Sequence, residues 1–199
     1  MASLLVEGIT VNDMDLGTGK VVVNRSMSLD GFVAAPGDAM GWIFDFMTPD
    51  AFPEIAAATG AMLVGRGTYE VGRRGIEATD GGTVDGEYGG GWSGAEFVLT
   101  HSPPADADPE TTFLSGDITD AVATALAAAD GKNLEILGTD VADQCLRRGL
   151  VDEILVYVLP VLLGDGTRFS ASGLGRVDLE PISTNRSGEV TILRFRVRK

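Results

Sequence analysis

Between residues 20 and 150, short apolar runs alternate with stretches in which apolar residues recur every three or four positions. The runs lie at 20–24 (Val21, Val22, Val23), 61–64, 96–100, 112–114 and 134–137. Short, β-branched runs bounded by Gly, Pro or Ser predict buried strands. Three segments between them predict helices. Thr48 as N-cap with Pro49 at the first helical position opens one, which carries Phe52, Ile55 and Ala56 and ends at Gly60 as C′ residue. Asp117 caps a second, from Ile118 to about Ala129, with Val122 and Leu126 on one face and Gly131 after it. The third spans 141–149. Beyond 150 only strands follow: 153–159, closed by Pro160, then 179–184 and 190–198 as a hairpin about Ser187-Gly188. In the last, Leu193, Phe195 and Val197 alternate with Arg194, Arg196 and Arg198, so the first set is predicted to face the core and the arginines the solvent. Crossover units followed by strands alone predict a parallel sheet with an antiparallel addition at one edge.

The intervening segments are less regular. Residues 1–19 read as a leader with possible short strands at 4–6 and 9–11, and 20–199 as the main domain. Residues 26–38 read as a structured loop through Gly31, Pro36 and Gly37. Its Phe32 and Val33 either pack on the core or cover a ligand. Trp42, Ile43, Phe44, Phe46 and Met47 form an aromatic-rich cluster. Residues 72–94, with seven glycines from Gly81 onward, read as a long loop anchored by Trp92.

Two strands run straight into a glycine turn and a helix start. One continues as Gly65-Arg-Gly-Thr-Tyr-Glu70, the other as Gly138-Thr139-Asp140-Val141. Strand, glycine turn and helix N-terminus together can hold a phosphate, since free N–H groups and the positive end of the helix dipole meet there. The same arrangement also serves packing alone in many crossover units.

Composition narrows the function. The chain has 199 residues, 44% hydrophobic and 22% charged, and a net charge of −14. That charge disfavours nucleic-acid and anionic-membrane partners but leaves room for a small anionic ligand held by a few arginines. With one cysteine, Cys145, and one histidine, His101, no internal disulfide and no Cys- or His-rich metal site is expected. No apolar run reaches membrane-spanning length and the start lacks a signal-peptide pattern, so the expected location is cytoplasmic.

Five pieces, in order, carry a resemblance. They are Ser28-Leu-Asp-Gly-Phe-Val33, Val64-Gly-Arg-Gly-Thr-Tyr-Glu70, Phe97-Val-Leu-Thr-His-Ser-Pro-Pro104, Gly149-Leu-Val-Asp-Glu-Ile154 and Pro160-Val-Leu-Leu-Gly-Asp-Gly166. Over residues 20–198 the chain resembles the dihydrofolate-reductase-like superfamily. The branch it is most similar to is the C-terminal reductase domain of bacterial riboflavin biosynthesis, in its stand-alone form. The resemblance implies an α/β fold with a mixed, mostly parallel central sheet of about eight strands, flanking helices and an antiparallel C-terminal hairpin. It implies NADPH across the carboxyl ends of the strands and a homodimer, to which the apolar strand near 154–159 could contribute. Gly65, Arg66 and Thr68 would sit by the pyrophosphate and 2′-phosphate, Thr100, His101 and Ser102 by the adenine ribose, and Gly138, Thr139, Asp140 and Val141 at the second phosphate turn. The loop 30–34 would cover nicotinamide and substrate, with Asp30 as the carboxylate near the reacting ring. Asp45 and Asp50 lie near the first helix, where folate reductases place their acid.

Two departures stand out. Thr139 takes the place of the family's second glycine, and Ser102 that of a basic residue after Thr-His, which leaves Arg66 as the main candidate for a 2′-phosphate. Arg73, Arg74 and Arg168 are candidates for a substrate phosphate. The expected activity is NADPH-dependent reduction of a pyrimidine or pterin-like heterocycle, such as 5-amino-6-(5-phosphoribosylamino)uracil. The alternatives are a non-catalytic nucleotide-binding protein on the same fold and a reductase of an unrelated small molecule.

Overall fold

The computed structural model describes residues 19–46, 53–78, 92–171 and 173–199, and only the backbone of 74–78. In chain order the elements are β1 (Val21–Ser28), β2 (Phe32–Ala34), 3-10 turns at Pro36–Asp38 and Gly41–Asp45, α1 (Pro53–Ala58), β3 (Thr59–Gly65), α2 (Arg66–Ala78), β4 (Ala95–Leu99), β5 (Thr112–Leu114), α3 (Ile118–Ala128), β6 (Asn133–Ile136), α4 (Thr139–Arg147), β7 (Glu153–Leu159), β8 (Thr167–Arg168), β9 (Leu179–Ser187) and β10 (Val190–Val197). Eight of the strands form one sheet in the order β5-β4-β3-β6-β1-β7-β10-β9, and β2 pairs with β8 separately. From β5 to β7 every pairing is parallel, while β10 runs antiparallel to β7 and β9 antiparallel to β10.

The three valines that open β1 show why the pattern is continuous rather than alternating. Val21 and Val23 pack into a core with Ala125 of α3 and Val141 and Cys145 of α4. Val22 points to the opposite face, against Ile43, Ile55, Leu155 and Ile192. A strand covered on both faces has no polar phase. Desolvation in that core pushes the Cys145 thiol up to about 12.

The expected sheet, its antiparallel edge, and the bounds of β5, β7 and the Asp117-capped α3 are all present, with Asp117 accepting from the Thr119 N–H at 2.8 Å. Several boundaries differ. β1 continues to Ser28, and the expected loop at 26–38 holds β2 and a 3-10 turn. α2 extends to Ala78, into the segment read as loop, and α4 begins at Thr139 rather than Val141. Met47, the Thr48 cap with Pro49, Asp50 and Phe52, all of the leader 1–19 but Gly19, and most of the glycine-rich loop lie outside the described residues.

Gly60 is a strand residue of β3, not a helix terminator. The reason is close approach: a Cβ at Gly60 would overlap the carbonyl of Ala129, just past α3. Gly60→Ala is therefore expected to lower stability by about 1–3 kcal/mol in urea unfolding, the usual cost of overpacking.

The arginine row of β10 is also corrected. Arg194 is buried at 4% exposure, whereas Arg196 and Arg198 are exposed. Arg194 lies in phase with Val190 and Ile192, on the face of β10 that packs into the second core cluster, so both faces of the strand are covered there and the alternate residue is buried rather than solvated. β7 lies between β1 and β10 and is almost wholly buried, so residues 154–159 offer neither an edge nor a surface for a dimer contact.

Candidate functional site at the strand carboxyl ends

β1, β3, β4, β6 and β7 are parallel neighbours, so their carboxyl ends open on one side of the sheet. Gly65, Thr100, Gly138 and Pro160 leave the sheet there. This is where open α/β sheets place ligands, outside the strand ends at a change in winding.

The two glycine turns meet. β3 pairs with β6, so α2 and α4 begin side by side. Gly138 has φ +85°, and a Cβ on it would overlap the Thr68 hydroxyl. The same position lies 3.9 Å from the Gly65 nitrogen, and a Cβ at Gly65 would come to 3.1 Å from Val141 Cγ2. Gly65, Thr68, Gly138 and Val141 thus form one cluster. The first intrahelical bond of α4 runs from the Ala142 N–H to the Gly138 carbonyl at 3.2 Å. The N–H groups of Thr139, Asp140 and Val141 precede it, and Gly138 supplies no capping side chain. Donors in this state at a dipole end fit an anion.

The other expected residues spread around this cluster. Arg66 opens α2, is about half exposed, and donates to Glu70 at 2.6 Å. Thr100 follows β4, and its hydroxyl accepts from the Ser102 N–H at 3.1 Å, with His101 exposed between them. Asp140 is exposed and accepts from Gln144 at 2.8 Å, so its backbone rather than its carboxylate suits a phosphate. The Thr139 hydroxyl donates to the Arg168 carbonyl at 3.0 Å. It is committed to the protein rather than held out toward a ligand.

On the other side of the opening lies residue 30. Its carboxylate accepts from the Ser28 hydroxyl at 2.6 Å, the Leu163 N–H at 3.1 Å and the Gly164 N–H at 2.8 Å. The bond from Ser28 is the largest cause of a pKa pulled down to about 2, with the two N–H groups adding to it. Asp30 is therefore a carboxylate anion at neutral pH that braces two loops. Neighbouring bonds complete the brace: Leu29 N–H to the Val161 carbonyl at 2.9 Å and Phe169 N–H to the Gly31 carbonyl at 3.0 Å. Arg168 stacks over the Phe32 ring at 4.5 Å. Because the folded pKa lies below the ordinary 3.8, this bracing is fully present above about pH 4 and is lost as pH falls through about 2. The amide resonances of Leu163 and Gly164 are expected to hold steady from pH 7 to about 4 and to shift as the pH falls through about 2, and Asp30→Asn removes that step.

Of the candidates for a substrate phosphate, Arg73 donates to the exposed Asp106 at 2.9 Å, and Arg168, itself exposed, lies with its guanidinium face on the Phe32 ring. The Arg74 side chain and Asp50 lie outside the described residues, and Asp45 is exposed at the end of its 3-10 turn. Trp92 is elsewhere than the site: its indole donates to the Thr59 carbonyl at 2.9 Å, at the opposite end of β3. Trp42 packs on the Tyr157 and Leu159 cluster beside β1.

Two contributors escape a reading of the sequence alone. Ser28 supports Asp30 and also accepts from the Phe32 N–H at 2.9 Å. Arg25, at 7% exposure, donates to the Phe169 carbonyl at 2.6 Å, to the Thr139 hydroxyl at 3.2 Å and to the Gly138 carbonyl. A charge that continues a strand opened by three valines is the available signal for Arg25, and it stays hidden when that strand is ended at Asn24.

The model of the RibD C-terminal domain matches residues 19–193. The chain belongs to the RibD C-terminal domain family. Among individual proteins, it is 23% identical to the uncharacterized protein YwjB of Bacillus subtilis over 179 residues, 88% of this chain and 97% of YwjB. A proposed riboflavin biosynthesis protein of Shewanella sp. PV-4 superposes with a TM-score of 0.72 at 20% identity, over 90% of this chain and 99% of that one. Dihydrofolate reductase of Enterococcus faecalis, solved with NADP(H), superposes with a TM-score of 0.54 at 16% identity, over 91% and 98% of the two chains. This RibD C-terminal domain therefore has the dihydrofolate-reductase-like fold, a fold used by reductases. Among the described residues, no helix is long and apolar enough to cross a membrane.

Proposed function

We propose that this RibD C-terminal domain is an NADPH-dependent reductase of a small pyrimidine or pterin-like heterocycle. The meeting of two helix starts at Gly65, Thr68 and Gly138 is the observation that carries this reading. The cofactor-binding set is Gly65, Arg66, Thr68, Thr100, His101, Gly138, Thr139, Asp140 and Val141. The backbone donors of Thr139, Asp140 and Val141 would hold the pyrophosphate, the glycines would admit it closely, and Arg66 would supply the charge for a 2′-phosphate. When bound, NADPH supplies a hydride. The chain's part is then orientation. The strap at 28–34, braced by Asp30, would cover the nicotinamide and substrate. Asp30, ionised and fully bonded, positions the two loops and donates no proton.

A reductase of an unrelated small molecule at the same site is the second reading. A substrate panel followed by NADPH oxidation separates them, because turnover of the phosphoribosyl compound alone excludes the second.

Arg66 is the handle on cofactor choice. Arg66→Ala is expected to weaken NADPH binding about 10–100-fold, as loss of a charge-assisted phosphate contact does. NADH, which lacks that phosphate, should change little. Isothermal titration with both cofactors measures this, and equal losses would remove Arg66 from the 2′-phosphate.

A further inference from the structure

Arg25 is a buried cation under the second turn that the proposed chemistry leaves unexplained. It leaves β1 on the same face as Val21 and Val23, beneath the start of α4. Its guanidinium donates to the Gly138 carbonyl, the Thr139 hydroxyl and the Phe169 carbonyl, and stacks at 5.2 Å on the Phe169 ring. Phe169 in turn donates its N–H to Gly31 in the strap. Asp143 of α4, 2% exposed, accepts from the Ala171 N–H at 2.8 Å and lies close enough to act on Arg25 electrostatically.

We propose that Arg25 is a positioning residue for cofactor binding, which fixes the Gly138-Thr139 turn and ties it through Phe169 to the strap at 28–34, so that the two sides of the opening move as one unit. This rests on the NADPH reading above for its cofactor half.

Three points support it. First, stability alone is a poor reason to bury this group, since the Arg25 Nε has no partner among the described residues and well-packed apolar residues commonly replace buried charges without loss. Second, the Thr139 hydroxyl at the start of α4 accepts from Arg25 and donates to the Arg168 carbonyl, while the same guanidinium holds the Gly138 carbonyl, so Thr139 and Arg25 together clamp the turn from below. Third, burial lowers the Arg25 pKa only to about 10, so the group stays cationic at neutral pH and places a fixed positive charge below the proposed pyrophosphate.

The test uses the full chain and the variants Arg25→Leu, Arg25→Lys and Arg25→Leu/Thr139→Gly. Two readouts are needed, NADPH affinity by titration calorimetry and amide exchange at Ala142, Phe169 and Ala171, with the β9–β10 hairpin as internal reference. Arg25→Leu is expected to weaken NADPH at least tenfold and to speed exchange at all three amides together, with the hairpin unchanged. Arg25→Lys keeps the charge without the fork and should recover part of the affinity. The double variant should lose no more than Arg25→Leu, because the pair acts as a unit. Unchanged NADPH affinity in a folded Arg25→Leu overturns the positioning role, and exchange that rises on one side of the opening only overturns the linkage. If the wild-type chain binds no NADPH, the proposed function falls together with the cofactor half, and the exchange result decides the linkage by itself.

Discussion

Gly138→Ala is expected to abolish cofactor binding while leaving a folded protein. Two independent effects act at this residue. Its φ of +85° is a conformation that residues with a side chain adopt only under strain, at about 1–3 kcal/mol. The added methyl would also overlap the Thr68 hydroxyl, in the first turn of α2. Relief turns the Thr68 hydroxyl out of its place or moves the start of α4 away from that of α2, and either change disturbs the cluster that must act on one pyrophosphate. A loss of NADPH affinity of about 100-fold or more, ~2.7 kcal/mol, is expected. Gly72→Ala is the control. Gly72 lies on the exposed side of α2, and a methyl added there would meet nothing within 4 Å, so this variant should gain up to about 1 kcal/mol of stability and bind normally. Titration calorimetry and thermal unfolding of both variants check the pair.

Arg194→Leu is expected to give the largest loss of stability. Glu153 is 2% exposed. Its Oε2 accepts from Arg194 Nε at 2.7 Å and pairs with the same guanidinium at 2.5 Å, while Oε1 pairs with Lys20 at 2.6 Å. Removing Arg194 leaves a buried carboxylate with one partly exposed cation. Breaking a buried pair from one side usually costs about 3–5 kcal/mol, because the remaining charge is uncompensated. Removing both charges together avoids that penalty, so Glu153→Leu/Arg194→Leu should recover most of the loss. Urea unfolding of the two variants measures the difference, and equal losses would show that packing rather than charge sets the cost. The site is at the other end of the strands, so residual cofactor binding should survive in whatever fraction stays folded.

The legibility of the sequence differs by kind of feature. Strands covered on both faces are readable because a run such as Val21-Val22-Val23 has one meaning once helices are known to flank it. The Asp117 cap is readable because capping is local. Gly60 is misread, since its role depends on Ala129, far away in sequence and close in space. Arg194 is misread because the face of β10 that it shares with Val190 and Ile192 is covered too, which the alternation of the strand does not reveal. The two glycine turns can each be seen, but not their contact through Thr68 and Gly138, which needs the parallel pairing of β3 with β6. Asp30 carries no local sign that its partners come from residues 163 and 164. The same holds for Arg25, whose bonds reach residues more than 100 positions away.

The central claim is that the paired helix starts at the strand carboxyl ends hold NADPH. Its most direct test is calorimetric titration of the purified chain with NADPH and, in parallel, NADH. Tryptophan emission is the weaker probe, since Trp92 sits at the far end of β3. Saturable NADPH binding with a single site per chain, weaker NADH binding, and loss of both in Gly138→Ala is the predicted result. Absence of heat for either cofactor at millimolar concentration would contradict the claim and leave the two glycine turns as packing features of the fold.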